Sequence, residues 1–187
     1  MTLTEKPVTA VTVDGKKYRI NTGHTAVLSV LEFMSREDVL DEDKIDFACH
    51  LLVIFPPRSF GQRNKVIEAV YSVLFPDRKE KAEMPVFDFT QDADYIYAAF
   101  LQAYNIDLHH DILPWCHFYA LMRSLPEQTK MAQIINLRAT PIPAPTKYNQ
   151  DEIKRLKAAK AAVALKITEE MRRQLFSQSI KNAMKGG

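Results

Sequence analysis

The sequence predicts a mainly α protein: an N-terminal β-hairpin, then a multi-helix bundle and a C-terminal amphipathic helical tail. Three observations carry this. Apolar residues recur three and four positions apart over most of the chain, the mark of helices with one buried stripe. The ten prolines mostly fall between those stretches rather than inside them. Glycines number only five in 187 residues, where average usage would give roughly 13. Two of those five close the chain, so Gly15, Gly23 and Gly61 alone punctuate its body.

Residues 8–13 (VTAVTV) and 16–20 (KKYRI) are rich in β-formers, and Asp14-Gly15 between them is a favoured two-residue turn. A lone hairpin is marginal, so it is expected to pack on the helices after it. Helices are expected over 25–34, 42–55 and 62–74. Their stripes are Val27, Leu28, Leu31 and Met34; Ile45, Ala48, Cys49, Leu52, Val53 and Phe55; then Val66, Ile67, Val70, Val73 and Leu74. Ser35, the pair Pro56-Pro57, and Pro76 read as boundary signals. Residues 77–90, mixed in charge around Pro85, read as a linker that Phe87 and Phe89 pin down.

A second helical block is expected over 93–104, 114–124 and 127–139. Asp92 and Asp94 complement the first helix N-terminus, and Pro114 and Pro126 suit first-turn positions. Pro141, Pro143 and Pro145 then favour an extended spacer. Residues 149–184 are rich in alanine and lysine and read as one helix or two, with Thr168-Glu169-Glu170 able to cap the second. The stripe there is Ile153, Leu156, Val163 and Ile167, and Met171, Leu175 and Phe176 continue it. The domain reading is therefore 1–76, a linker at 77–90, an aromatic-rich helical region at 91–146, and a basic helical tail at 147–187.

Several function classes fall away on motif grounds. Phosphate-cradling loops need glycines so that backbone N–H groups can approach the ligand, and neither GxxxxGK[ST] nor GxGxxG occurs. There is no GxSxG and no HExxH. Cys49-His50 and Cys116-His117 superficially suggest metal, but neighbours on a helix diverge by about 100° and cannot both reach one ion. No metal and no cofactor is expected. His109-His110-Asp111 could orient an imidazole for base catalysis, yet no nucleophile accompanies it, so a polar inter-helix loop is the better reading. The chain is expected not to be an enzyme. With no apolar run near the ~20 residues of a membrane span, no leader-like start and two cysteines, it is expected to be soluble and cytoplasmic.

Charge is unevenly placed. The net +2 combines −1 over residues 1–76, −3 over 77–146 and +6 over 147–187. Lys154, Arg155, Lys157, Lys160, Arg172 and Arg173 could neutralise phosphates. The tail has only Tyr148 and Phe176 as aromatic platforms, however, and nucleic acid is not the expected partner. An amphipathic partner-binding helix is favoured over nucleic acid, and a merely solvated face is the plain alternative. The residues assigned to it are Lys154, Arg155, Val163, Ile167, Arg172, Arg173, Leu175 and Phe176. Tyr95, Tyr97, Phe100, Tyr104, Trp115, Phe118 and Tyr119 read mostly as helical core.

The stretch DADYIYAAFLQAYNIDLHHDILPWCHFYALMRSLPEQTKMAQIINLRATPIP, over residues 92–143, carries a resemblance. An acidic helix start, then Phe100, Tyr104, Asn105, Ile106, Asp107 and Leu108, are followed by Trp115, Phe118 and Leu121. Leu125, Pro126, Thr129 and Arg138 complete the pattern, and the Lys/Arg-rich run from Ile153 extends it. This resembles the phage "gene product fifteen" family of siphophages infecting Gram-positive bacteria, over about residues 90–165 well and more loosely at the start. Cys116 departs from the pattern, standing where a second tryptophan would be expected. The motif residues Phe100, Tyr104, Trp115, Phe118, Leu121, Leu125, Pro126 and Arg138 are expected in the core.

The resemblance implies a tail assembly chaperone. Such a protein would bind the tape-measure protein, help recruit tail-tube protein, associate with itself, act in the host bacterial cytoplasm and be absent from the virion. It would involve no membrane. The alternatives are a structural virion component, such as a head–tail or baseplate subunit, and then a nucleic-acid-binding regulator.

Overall fold

A computed structural model describes residues 4–76 and 85–166. Among them are a two-stranded antiparallel hairpin, β1 (Ala10–Val13) and β2 (Lys16–Arg19), and seven helices. These are α1 (His24–Met34), α2 (Asp41–Leu52), α3 (Phe60–Leu74), α4 (Ala93–Tyr104), α5 (Trp115–Arg123), α6 (Lys130–Ala139) and α7 (Gln150–Ala162). The fold is mainly α. By its contacts the described chain forms two units, residues 4–76 with 106–124, and residues 85–105 with 125–166. This division crosses the boundaries read from the sequence: the 91–146 stretch is shared between both units, and 85–90 folds with the second.

In the first unit the hairpin turns on Asp14 (φ 48°) and Gly15 (φ 75°), both left-handed, as a two-residue primed turn requires. Val11 faces Tyr18 in the register, and both are buried on the side that meets α3. The hairpin gains a further partner from α2. That helix ends at Leu52 rather than at 55, because Val53 turns extended (φ −119°, ψ 120°) and pairs with Ile20. Asn21 N–H donates to Leu52 O at 2.9 Å and Ile54 N–H donates to Arg19 O at 3.1 Å. Pairing with β2 overrides the helical periodicity of residues 53–55. On α3, Val66, Ile67, Val70 and Leu74 form the expected inner stripe.

The second unit contains α4, α6 and α7. The first of these closes on Asn105 in the left-handed conformation (φ 54°, ψ 35°), with its N–H bonded to Leu101 O. Asparagine tolerates that conformation where most residues do not. The next helix, α6, starts at Lys130 and not at 127. Thr129 caps it, accepting from Ala132 N–H at 3.3 Å and donating its hydroxyl to Pro126 O at 2.7 Å. Pro126 therefore lies in the turn before the helix rather than in its first turn.

Asp92 does not cap α4 with its side chain. Its carboxylate instead receives both arms of Arg138, Nη1 to Oδ2 at 2.5 Å and Nη2 to Oδ1 at 2.8 Å. The side chains are 3% and 11% exposed, respectively. The same guanidinium donates from Nη1 to Val86 O and from Nε to Val163 O. One planar, always-charged group thus ties four segments of the unit together.

Within the described residues, α7 stops at Ala162 with Val163 as its cap; the expected continuation from 167 onward lies outside them. Ile153 is buried, and Leu156 and Val163 are half-buried. Lys160 Nζ donates to Leu137, Arg138 and Thr140 carbonyls at 2.9, 2.6 and 2.7 Å, satisfying the open end of α6. The Gln91 amide then pairs both ways with the backbone of Lys166.

Removing one partner of a buried ion pair leaves a desolvated charge, which costs about 3–5 kcal/mol, whereas replacing both with apolar groups costs far less. Asp92→Ala is expected to lower the urea midpoint of the full chain sharply. The paired change Asp92→Leu with Arg138→Met should recover much of that loss, measured by circular dichroism.

Candidate functional site

A three-residue stretch, Thr22-Gly23-His24, runs antiparallel to Leu113-Pro114-Trp115 within the first unit. Gly23 bridges Pro114, His24 N–H donates to Leu113 O at 2.8 Å, and Trp115 N–H donates to Thr22 O at 2.6 Å. A Cβ on Gly23 would lie 3.0 Å from Ile112 Cγ2, so a larger residue there would have to displace that side chain. Pro114 precedes α5 as its N-cap, with φ −55°.

The His24 ring fastens this pairing from within. It is 1% exposed and lies 5.0 Å from the Phe118 ring, nearly parallel to it. Leu113 N–H donates to Nδ1 at 3.2 Å, so Nε2 carries the proton and donates to Leu108 O at 3.3 Å. Burial pushes the His24 pKa down from its ordinary 6.5, while the bond to the Leu108 carbonyl acts in the opposite direction. Residues 107–111 of the same unit form one stapled turn. Asp107 accepts from the backbone of His109 and from the His110 ring, and Asp111 accepts from Asp107 N–H.

Trp115 continues the stack begun by His24 and Phe118. It is 2% exposed, lies over Phe118 at 5.5 Å and over Tyr119 at 5.8 Å, and donates Nε1–H to Leu74 O at 3.1 Å. With Trp115, Phe118 and Met122 turned inward, α5 presents Cys116, Tyr119, Ala120 and Arg123 on its other face. These line an open groove of about 820 Å³, closed on its other sides by Val73–Pro76 residues of the α3 end and by Glu5, Lys6, Pro7 and Val8. Thr22 also lines it, and it equally lines a second depression of about 430 Å³ with Ile54 and Ile112. Thr22 is a wall common to both hollows. Among the lining residues Val8, Ile54, Ile112 and Tyr119 are exposed apolar side chains, and Phe55 beside Ile54 is another.

Of the residues assigned from the sequence, Lys154 and Arg155 are exposed on α7, and Val163 is engaged inside its own unit through the Arg138 bond. Ile167, Arg172, Arg173, Leu175 and Phe176 lie outside the described residues. Phe100, Trp115 and Phe118 are buried; Tyr104, Leu121, Leu125, Pro126 and Arg138 are half-buried. Phe100 and Tyr104 meet edge to face in the second unit, while Trp115 and Phe118 build the first. In both Cys-His pairs the histidine faces solvent, while Cys49 is buried and Cys116 half-buried. Sequence reasoning missed His24, and a lone histidine ahead of a helix gives no local sign of a partner so distant along the chain. It also passed over the groove face of α5, legible as Cys116, Tyr119, Ala120 and Arg123 at helical spacing, with Arg123 as its one charged member.

Because His24 is held neutral, its contribution to stability is complete above its ordinary value and is lost as pH falls through 6.5 toward the lowered folded value. Between about pH 7.5 and about pH 5 the urea midpoint is expected to decline in the wild type. His24→Phe, which keeps the stack but cannot titrate, should start lower and decline less.

The chain matches the family model described as Bacteriophage Gp15 protein over residues 3–165. No curated protein and no solved structure matches it. No described helix is long and apolar enough to cross a membrane. The family match takes in both described units, including the hairpin, the His24 clasp, the groove and the Arg138 network, and on that coverage the chain belongs to the Bacteriophage Gp15 protein family.

Proposed function

We propose that this phage protein is a tail assembly chaperone, a non-enzymatic factor that covers the tape-measure protein and helps bring tail-tube subunits to it in the host cytoplasm. The observation that carries the reading is the open, mostly apolar groove of about 820 Å³ beside Tyr119, which shares Thr22 with the Ile54–Ile112 hollow. A long helical client with an apolar stripe aggregates unless that stripe is covered, and a groove of this kind accepts one face of such a helix. Glu5, Lys6 and Arg123 at its rim offer charges of both signs that can set register. The resemblance of the 92–143 stretch to the tail-chaperone family supplies the identity of the client.

The client contact is sought on α5 rather than along the tail stripe. The α7 residues Ile153, Leu156 and Val163 are turned to their own unit, and Lys160 is committed to α6. What α7 leaves for a partner is the charged face of Lys154, Arg155 and Lys157. Its role in this reading is electrostatic, adding on-rate and register rather than buried area.

Co-expression tests the proposal. The wild-type protein should keep a tape-measure fragment soluble, and the fragment precipitating equally without it would defeat the reading. Ala120 is exposed on α5, so Ala120→Arg should leave the fold intact yet cut fragment binding by at least about tenfold, the cost of burying an unpaired charge at an apolar contact. Lys154→Glu with Arg155→Glu should mainly slow association and flatten its salt dependence. Mass spectrometry of purified virions should find the protein absent; its stoichiometric presence would favour a structural subunit.

A further inference from the structure

Further exposed apolar residues of the first unit stand where α1 hands over to α2, and none of them lines the groove. Met34 is 38% exposed and Leu40 is 73% exposed. On the same two helices the Phe33 and Phe47 rings stack at 4.1 Å, both half-buried. Around this patch stand six exposed carboxylates, Glu32, Glu37, Asp38, Asp41, Glu42 and Asp43. Only two cations accompany them. Arg36 is paired with Asp38, and Lys44 reaches Asp41 at 3.9 Å. The surface is therefore apolar at its centre and strongly negative at its rim, a poor match for nucleic acid and a good one for a basic amphipathic segment.

The chain itself carries such a segment. Residues 167–187 hold Met171, Leu175, Phe176, Ile180 and Met184 interleaved with Arg172, Arg173, Lys181 and Lys185. The 21 residues follow directly on Lys166, whose backbone is tied to the Gln91 amide. We propose that the Met34–Leu40 patch receives residues 167–187 of a second copy of this chain. Apolar side chains would cover Met34 and Leu40, and the arginines would meet the carboxylate rim. Each molecule then offers one acidic patch and one basic segment. The contact joins two different surfaces, so reciprocal exchange of segments closes a pair and one-way contacts add copies head to tail. This goes beyond the client-binding reading and does not depend on it, since no tape-measure protein takes part.

The test uses the full chain with a photo-cross-linking amino acid at position 40, prepared in isotopically light and heavy forms and mixed. Mass spectrometry should find light–heavy peptides joining position 40 to residues 167–187. Sedimentation velocity should show association at about 0.05 M salt that falls away at about 0.5 M, where the screening length is only a few ångströms. Glu42→Lys with Asp43→Lys should cut the mixed cross-link by about tenfold, as should Arg172→Glu with Arg173→Glu. Combining all four changes should restore it, which a merely misfolded variant would not do. Cross-links confined to single chains, cross-links to any other segment, or no loss on charge reversal would each overturn the proposal.

Discussion

The first unit depends on a pairing of three residues with three. Residues 106–124 join residues 4–76 through Thr22-Gly23-His24 against Leu113-Pro114-Trp115, and no other backbone hydrogen bonds join the two segments among the described residues. Two backbone bonds alone would be a weak fastening. Strength comes from what the pairing places in the interior: a neutral imidazole with both nitrogens satisfied, stacked on Phe118, and an indole bonded to Leu74 O. Gly23 lets the two stretches approach without displacing Ile112, which a side chain there would meet. The groove is a consequence, since α5 can show Tyr119 and Ala120 outward only when Trp115 and Phe118 are fixed inward.

The second unit solves the same problem, joining distant segments, with charge. Arg138 spans Asp92, Val86 and Val163, and Lys160 closes the end of α6. A buried ion pair gives less net stability than its Coulomb energy implies, since both groups are desolvated. Its planar two-point geometry, however, admits one arrangement of the joined segments and rejects others. The two units thus differ in kind, one fastened by a buried ring and the other by a buried fork of hydrogen bonds.

Much of this was legible in the residues. Asp14-Gly15 announced the turn, three–four spacing announced the helices, and α4 began and ended where its pattern did. The departures share one cause, a distant partner that overrides a local preference. Residues 53–55 continue a helical stripe, but Ile20 takes Val53 as a strand partner, so α2 ends early. Asp92 sits where an acidic residue suits a helix N-terminus, yet its carboxylate serves an arginine 46 residues away. Lys160 looks like one more solvated lysine until three carbonyls 20 to 23 positions earlier are found around it. For the site, the amphipathic pattern of α5 could be read, but not that its less polar outer face borders a hollow. That depends on where Val73 and Val8 fall in space.

The two units are interleaved along the chain, and synthesis gives that interleaving a direction. As residues leave the ribosome, the hairpin and first three helices emerge without α5, and must wait for residues 106–124 to complete their core. By then α4 has already emerged, with Asp92 at its start facing no arginine until Arg138 arrives. Only when Lys160 and Val163 appear can the second unit close. Neither unit can be excised as one continuous fragment, and each must hold an incomplete surface while the other is still being made. On this order of events the chain spends its own first moments with helices uncovered.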